Sequence, residues 1–331
     1  MAKNDKLFMV IPCYNEQEVL PETSKRLKEK LNTLIKSEKI SPDSRIVFVD
    51  DGSRDNTWNM IEELHKEDPI FQGVKLSRNR GHQNALLAGL MTVKDICDIS
   101  ISMDADLQDD INAIDGMVEK YENGAEIVYG VRSQRKTDTF FKRYTAESYY
   151  KLMNKMGADI VYNHADFRLM SSRALDFLSD FSEVNLFLRG IVPMIGLKTD
   201  VEYYERAERF AGESKYPLFK MLQFAFEGIT SLSTKPIKII SGLGVFIFFT
   251  SFIVLIYSLI RHFTGATIPG WTTTVLSVWA IGGLTMISLG VIGEYIGKIY
   301  LETKNRPRYI ISTYLGDKED EQMLRDVKFL K

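Results

Sequence analysis

The residues of clearest chemical use are the carboxylates of the segment DADLQD, residues 104–109. Asp104 and Asp106 stand two apart after the apolar run ISIS. Extended backbone at a strand end sends alternate side chains to one side. With Gln108 next in phase, they form a set of hard oxygen donors suited to Mg2+ or Mn2+ bridging a diphosphate. Taken alone, the triplet also reads as a solvated turn with capping aspartates. Two more apolar runs end in polar groups, LFMVI in PCYNE and RIVFV in DDGSRD.

Those runs belong to an alternation of strand and helix patterns. The strands LFMVIP, RIVFVDD, GVKLS, ISISMDAD and AEIVYGVR are separated by predicted helices over Pro21–Lys36, Thr57–Lys66 and Asn84–Val93 and near Ile111–Glu122. Such alternation predicts an α/β fold with a mostly parallel sheet. Ligands of open α/β sheets bind beyond the carboxyl ends of the strands, where these polar groups fall. No GxGxxG follows the first strand, which argues against the dinucleotide fold of a dehydrogenase. There is no repeat of solenoid length and no low-complexity tract.

The 331 residues are 45% hydrophobic and 26% charged, the profile of a globular chain. A formal net charge of −2 speaks against a nucleic-acid partner, which would call for a basic face. Cys13 and Cys97 lie far apart in apolar runs, as reduced, buried thiols do. The N-terminal apolar run is too short for a signal peptide and breaks at Pro12. Ile239–Ile260 and Trp271–Ile292 contain no charged residue, and each matches the roughly 20 apolar residues that span a bilayer. Lys235 and Lys238 precede the first span, and Lys298, Lys304, Arg306 and Arg308 follow the second. By the positive-inside rule both termini face the cytoplasm of a plasma-membrane protein. Between Pro217 and Leu232 apolar residues recur at helical spacing, which by periodicity fits a core helix nearly as well, but direct connection to a membrane span favours an amphipathic helix on the membrane surface.

Taken in order, VIPCYNEQEVL, IVFVDDGSRDNT, LSRNRGHQNALLAGL, SMDADLQDD, HADFRLMSSR and RFAGESKYPLFKML, followed by two spans, resemble the family 2 glycosyltransferases that act on polyisoprenyl phosphates. The bactoprenol-phosphate sugar transferases and, more distantly, dolichol-phosphate mannose synthase share this pattern. The resemblance implies a GT-A domain, Rossmann-like, over residues 1–215, and an interfacial helix over 216–235. A transmembrane hairpin over 236–300 would follow, with helices at about 237–260 and 271–296, and then a cytosolic tail over 301–331. It also implies an inverting transfer from a UDP-sugar to undecaprenyl phosphate with Mg2+ or Mn2+. UDP-glucose is the first choice of donor and UDP-N-acetylglucosamine the second. A homo-oligomer and a flippase acting downstream are further partners to expect.

Matched position by position, the resemblance places Pro12, Tyr14, Glu16, Asp51, Asp104 and Arg132 at the nucleotide-sugar. Asp104, Asp106 and Gln108 match its metal and diphosphate site, and Asp166 its proposed catalytic carboxylate. Arg143, Arg206, Arg209, Ser214 and Lys215 match positions that hold the lipid phosphate. Many members carry glycine where Ala165 stands, which bears on the local turn alone. Other readings remain: turn and cap residues at Asp51 and Ser53, an Asp166–Arg168 pair at a strand edge, and a solvated charged face at the basic cluster. A polysaccharide-elongating transferase would need more spans and a Q-x-x-R-W motif, neither of which is present. A nucleotide-sensing scaffold without turnover fits poorly with an intact set of Asp104, Asp106 and Asp166.

Overall fold

The computed structural model describes residues 5–133, 164–205, 230, 233–264 and 270–317. The chain divides into two compact units, one built on a sheet and one on two long helices.

In the sheet unit the order along the chain is β1 (Leu7–Cys13), α1 (Leu20–Lys36), β2 (Arg45–Asp50), α2 (Thr57–Glu67), β3 (Phe71–Leu76), α3 (His82–Val93) and β4 (Ile99–Ser102). There follow α4 (Ala113–Glu122), β5 (Ile127–Arg132), β6 (His164–Ser171), α5 (Ser172–Ser179), α6 (Leu188–Met194), β7 (Thr199–Tyr204) and, after the long helices, β8 (Ile311–Leu315). The eight strands lie in the order β7-β5-β6-β4-β1-β2-β3-β8. β1 pairs in parallel with β2 and β4, and β2 with β3. Every residue of β1 is buried, as expected of a central strand covered on both faces. Leu20, Leu27, Leu31 and Leu34 of α1 pack on one face, while α3 covers the other with Leu86, Leu87 and Leu90.

The sheet is mostly parallel, as expected, with two antiparallel strands. β6 runs antiparallel to both β4 and β5, and β8 runs antiparallel to β3. Local pattern could not reveal either pairing, because the partners of β6 and β8 lie far away in sequence. The segment after Ile311, read as tail, adds the edge strand. Arg45 pairs there with Asp317 at 3.2 Å, and Tyr314 donates to Gln72 Oε1 at 3.0 Å. Cys13 and Cys97 are free and buried, as expected.

The second unit contains α7 (Lys235–Phe263) and α8 (Trp271–Thr303). Within them Lys235–Val254 and Ala280–Thr303 are long and apolar enough to cross a membrane, with mean hydropathies of 2.2 and 1.4 and none of either stretch buried. Phe246, Ile253, Met286 and Ile287 are each at least 65% exposed, which a core helix of a soluble protein would not leave in water. The predicted amphipathic helix lies almost wholly outside the described residues, as do Arg143, Arg206, Arg209, Ser214 and Lys215.

Candidate active site

The site is built from the carboxyl ends of the parallel strands. After β1 the chain turns at Asn15, whose φ is +54°. Asn15 N donates to Ser53 Oγ at 3.0 Å, and its side-chain oxygen accepts from Arg54 N at 2.9 Å. Glu16 N donates to Thr57 Oγ1 at 2.9 Å. The loops after β1 and β2 are thus stitched together, with Pro12 buried beneath them and Tyr14 41% exposed at their rim.

Asp51 is buried, and both its oxygens are engaged: Oδ1 accepts from Arg80 N at 2.6 Å and Oδ2 from Gly81 N at 2.9 Å. Burial pushes its carboxyl up, and the two amides act against that shift. Gly52 completes the junction at φ +67°, where a Cβ would stand 2.6 Å from Asn79 N. Of the readings open for Asp51, the turn-building one matches these bonds. The loop it holds bends at Gly81, φ +84°, and delivers His82 as the first residue of α3.

The chain leaves extended geometry after Ser102. Asp106 lies in a turn, and Leu107 takes φ +56°. Strand alternation therefore does not place Asp104 and Asp106 together; the turn does, with Gln108 N donating to Asp106 Oδ1 at 3.2 Å. Burial raises the pKa of Asp104, His82 opposes the rise, and Asp109, Asp166 and Asp106 add to it. Crowded acidic oxygens of this kind fit a divalent cation. No group of three or more His, Cys, Asp or Glu side chains stands ready to hold one among the described residues.

Arg132 is engaged inside the fold. Its Nε donates to the Tyr204 hydroxyl oxygen at 3.2 Å, and its Nη2 faces Asp109 Oδ1 at 3.3 Å, the atom to which the same hydroxyl donates at 2.6 Å. Burial alone would lower the pKa of Arg132; Asp109, Tyr204 and Asp104 outweigh it and raise it. A cavity of about 620 Å³ opens beside α1, lined by Arg26, Lys30, Asp109 and Asp110 among others. Asp104, Asp106 and Asp166 are not in its walls.

Asp166, on β6, is buried where the strand passes β4, and Ser102 Oγ donates to its backbone oxygen at 2.5 Å. Its Oδ1 accepts from Arg168 Nη2 at 2.6 Å and from Arg189 Nε at 3.2 Å, and its Oδ2 from Arg189 Nη2 at 2.9 Å. His82 Nε2 stands 3.6 Å from Asp166 Oδ2 and 3.5 Å from Asp104 Oδ1, so the imidazole links the two carboxylates. Burial would push Asp166 up, yet Arg189, His82 and Arg168 together hold it well below the usual carboxylate range. His82 is raised in turn: burial lowers it, but Asp166 and Asp104 prevail.

The pattern of glycosyl transferase family 2 matches residues 8–178, from β1 through β6 into α5. The chain belongs to that family. As a family 2 glycosyltransferase it has the GT-A fold, and the strand-end acids just described fall within the matched region. It is 51% identical to the Bacillus subtilis glycosyltransferase YkoT over 322 residues, 97% of this chain and 96% of the relative. It is also 40% identical to the bactoprenol glucosyl transferase of Shigella phage SfX over 311 residues, 93% of this chain and 99% of that protein. Among solved structures, mannosyl-3-phosphoglycerate synthase from Rubrobacter xylanophilus is similar at 13% identity and a TM-score of 0.47, covering 69% of this chain and 73% of that one.

Sequence reading alone left two residues of this family 2 glycosyltransferase site unassigned. His82 has no partner at ligand spacing, and its place follows from the Asp51–Gly52 junction. Arg189 is the single charge in the run VNLFLRGIVPMIG, and an isolated arginine in so apolar a stretch is the signal that would have found it.

Proposed function

We propose that the chain is an inverting glycosyltransferase that moves glucose from UDP-glucose to a polyprenyl phosphate, undecaprenyl phosphate in the first instance. The observation that carries this reading is the 40% identity to a bactoprenol glucosyl transferase along 99% of that protein, a span that includes both long apolar helices. A lipid phosphate acceptor suits that architecture: its tail stays in hydrocarbon while its head group lies at the surface, where a sheet domain on two spans can reach it. The lysines and arginines that flank the apolar stretches, Lys235, Lys238, Lys298, Lys304, Arg306 and Arg308, favour the cytosolic face. A lipid-linked sugar made there would need a flippase to serve the cell envelope.

In the transfer, a lone pair on an acceptor phosphate oxygen forms the new bond to the anomeric carbon. The bond from that carbon to the diphosphate breaks, and its electron pair leaves with UDP. In this reading Tyr14 and Glu16 hold the nucleoside, and Asp104, Asp106 and Gln108 the diphosphate. Mg2+ or Mn2+ held by those oxygens would neutralise charge building on the leaving group.

Asp166 serves to orient rather than to remove a proton. A carboxylate held well below its usual range by two guanidiniums is a poor base. The acceptor scarcely needs one, since a phosphate monoester loses its second proton near pH ~6. The test is a panel of UDP-sugars given to purified full-length protein with undecaprenyl phosphate, followed by mass measurement of the lipid product. The expected product gains one hexose from UDP-glucose. Preferred gain of an N-acetylhexosamine would overturn the choice of sugar, and no lipid product from any donor would overturn the acceptor.

A further inference from the structure

We propose that Arg189 is an acceptor-phosphate ligand, aimed by Asp166; this rests on the lipid-phosphate reading above. Asp166 is already matched in charge by Arg168, which is fully buried and 2.6 Å from its Oδ1. A second guanidinium on the same carboxylate is not needed for the neutrality of that carboxylate. Arg189 differs from Arg168 in position: its side chain is 34% exposed and reaches Asp166 from the open side.

The backbone that carries Arg189 is held as closely as its side chain. Gln83 Oε1, next to His82 on α3, accepts from Leu188 N at 2.9 Å, so the start of α6 is docked onto the loop that delivers His82. Arg168 Nη1 points at the Leu188 oxygen from 3.5 Å. Asp166 then takes Nε and Nη2 of Arg189 as a fork, which fixes the guanidinium plane and directs its remaining edge away from the carboxylate. A preoriented, partly exposed guanidinium beside Asp104 and His82 is the arrangement that a phosphate dianion requires before it can approach an acidic site. The planar fork also explains arginine here in place of lysine, a point charge that cannot hold both Asp166 oxygens and a phosphate in one plane.

The test compares wild type, Arg189→Ala, Arg189→Lys and Asp166→Asn as full-length proteins, with kinetics in undecaprenyl phosphate, calorimetric affinity for UDP-glucose with Mn2+, and thermal midpoints. In Arg189→Ala we expect kcat/KM for the acceptor to fall on the order of 100-fold or more, with UDP-glucose affinity unchanged. Arg189→Lys should lose less, and added methylguanidinium should restore part of the alanine variant's rate. Asp166→Asn combined with Arg189→Ala should be little worse than Arg189→Ala alone, since the carboxylate acts through the arginine. A parallel loss of UDP-glucose affinity would place Arg189 on the donor diphosphate and overturn the proposal. So would unchanged acceptor kinetics with a lowered thermal midpoint, the mark of a purely structural ion pair. A wild type inert towards undecaprenyl phosphate overturns the underlying reading, and this proposal with it.

Discussion

At the scale of single residues the deciding fact is the ionisation of Asp166. Its carboxylate accepts three bonds from Arg168 and Arg189 and lies well below the ordinary carboxyl range, so it stays charged at every pH suited to an assay. Because the folded pKa is depressed, the stability Asp166 contributes is present above the unfolded value and lost only as pH falls through the lower folded value. No titration of Asp166 should therefore appear in a rate profile from about pH 6 to about pH 9; changes at the acidic end belong to the acceptor, whose second pKa is near ~6, and to His82, raised above its ordinary value. Asp166→Asn should be severely impaired by a factor that does not change across that window. Single-turnover rates check this, and a deficit that closes as pH rises would make Asp166 a proton acceptor after all.

At the scale of elements, function depends on how closely α3 seats on the sheet, because its first turn carries His82 and Gln83. Gly89 faces the strands, where a Cβ would come within 2.4 Å of Val10 Cγ1 and 2.6 Å of Val49 Cγ2. Gly89→Ala forces the helix away from β1 and β2, and overpacking of this kind costs about 1–3 kcal/mol. Denaturant unfolding should register that loss, and activity should fall beyond it because His82 moves with the helix. The central elements were legible in the sequence: runs such as LFMVIP and RIVFVDD, ended by polar groups, correspond to β1 and β2. Helix α3 begins two residues before the expected Asn84, because Gly81 and not a side-chain cap opens it. What stayed hidden arises from distant pairing. The turn at Asp106 and Leu107 replaces an extended strand end, and β6 brings Asp166 beside Ser102 from 64 positions away. No local spacing encodes that approach, so the Asp166–Arg189–His82 group emerges only in three dimensions.

At the scale of the whole molecule, a sheet domain with acids at its strand ends is joined in one chain to two helices apolar enough to cross a membrane. The segment after them, expected as a tail, returns to pair with β3, so the sheet is completed by residues from beyond the second helix. Asp104, Asp106 and Gln108 are the proposed holders of a divalent ion. Chelation should therefore abolish transfer while leaving the fold intact, with Mg2+ or Mn2+ restoring it, and Asp106→Asn should not be rescued by either. Circular dichroism beside the rate assay separates lost metal from lost structure. The most direct test of the central claim follows the label of UDP-glucose, radiolabelled in the sugar, with purified full-length protein in vesicles containing undecaprenyl phosphate. The account predicts label in the extracted lipid in step with UDP release, and none without the acceptor lipid. UDP release that proceeds equally without undecaprenyl phosphate, leaving the label in water, would contradict it.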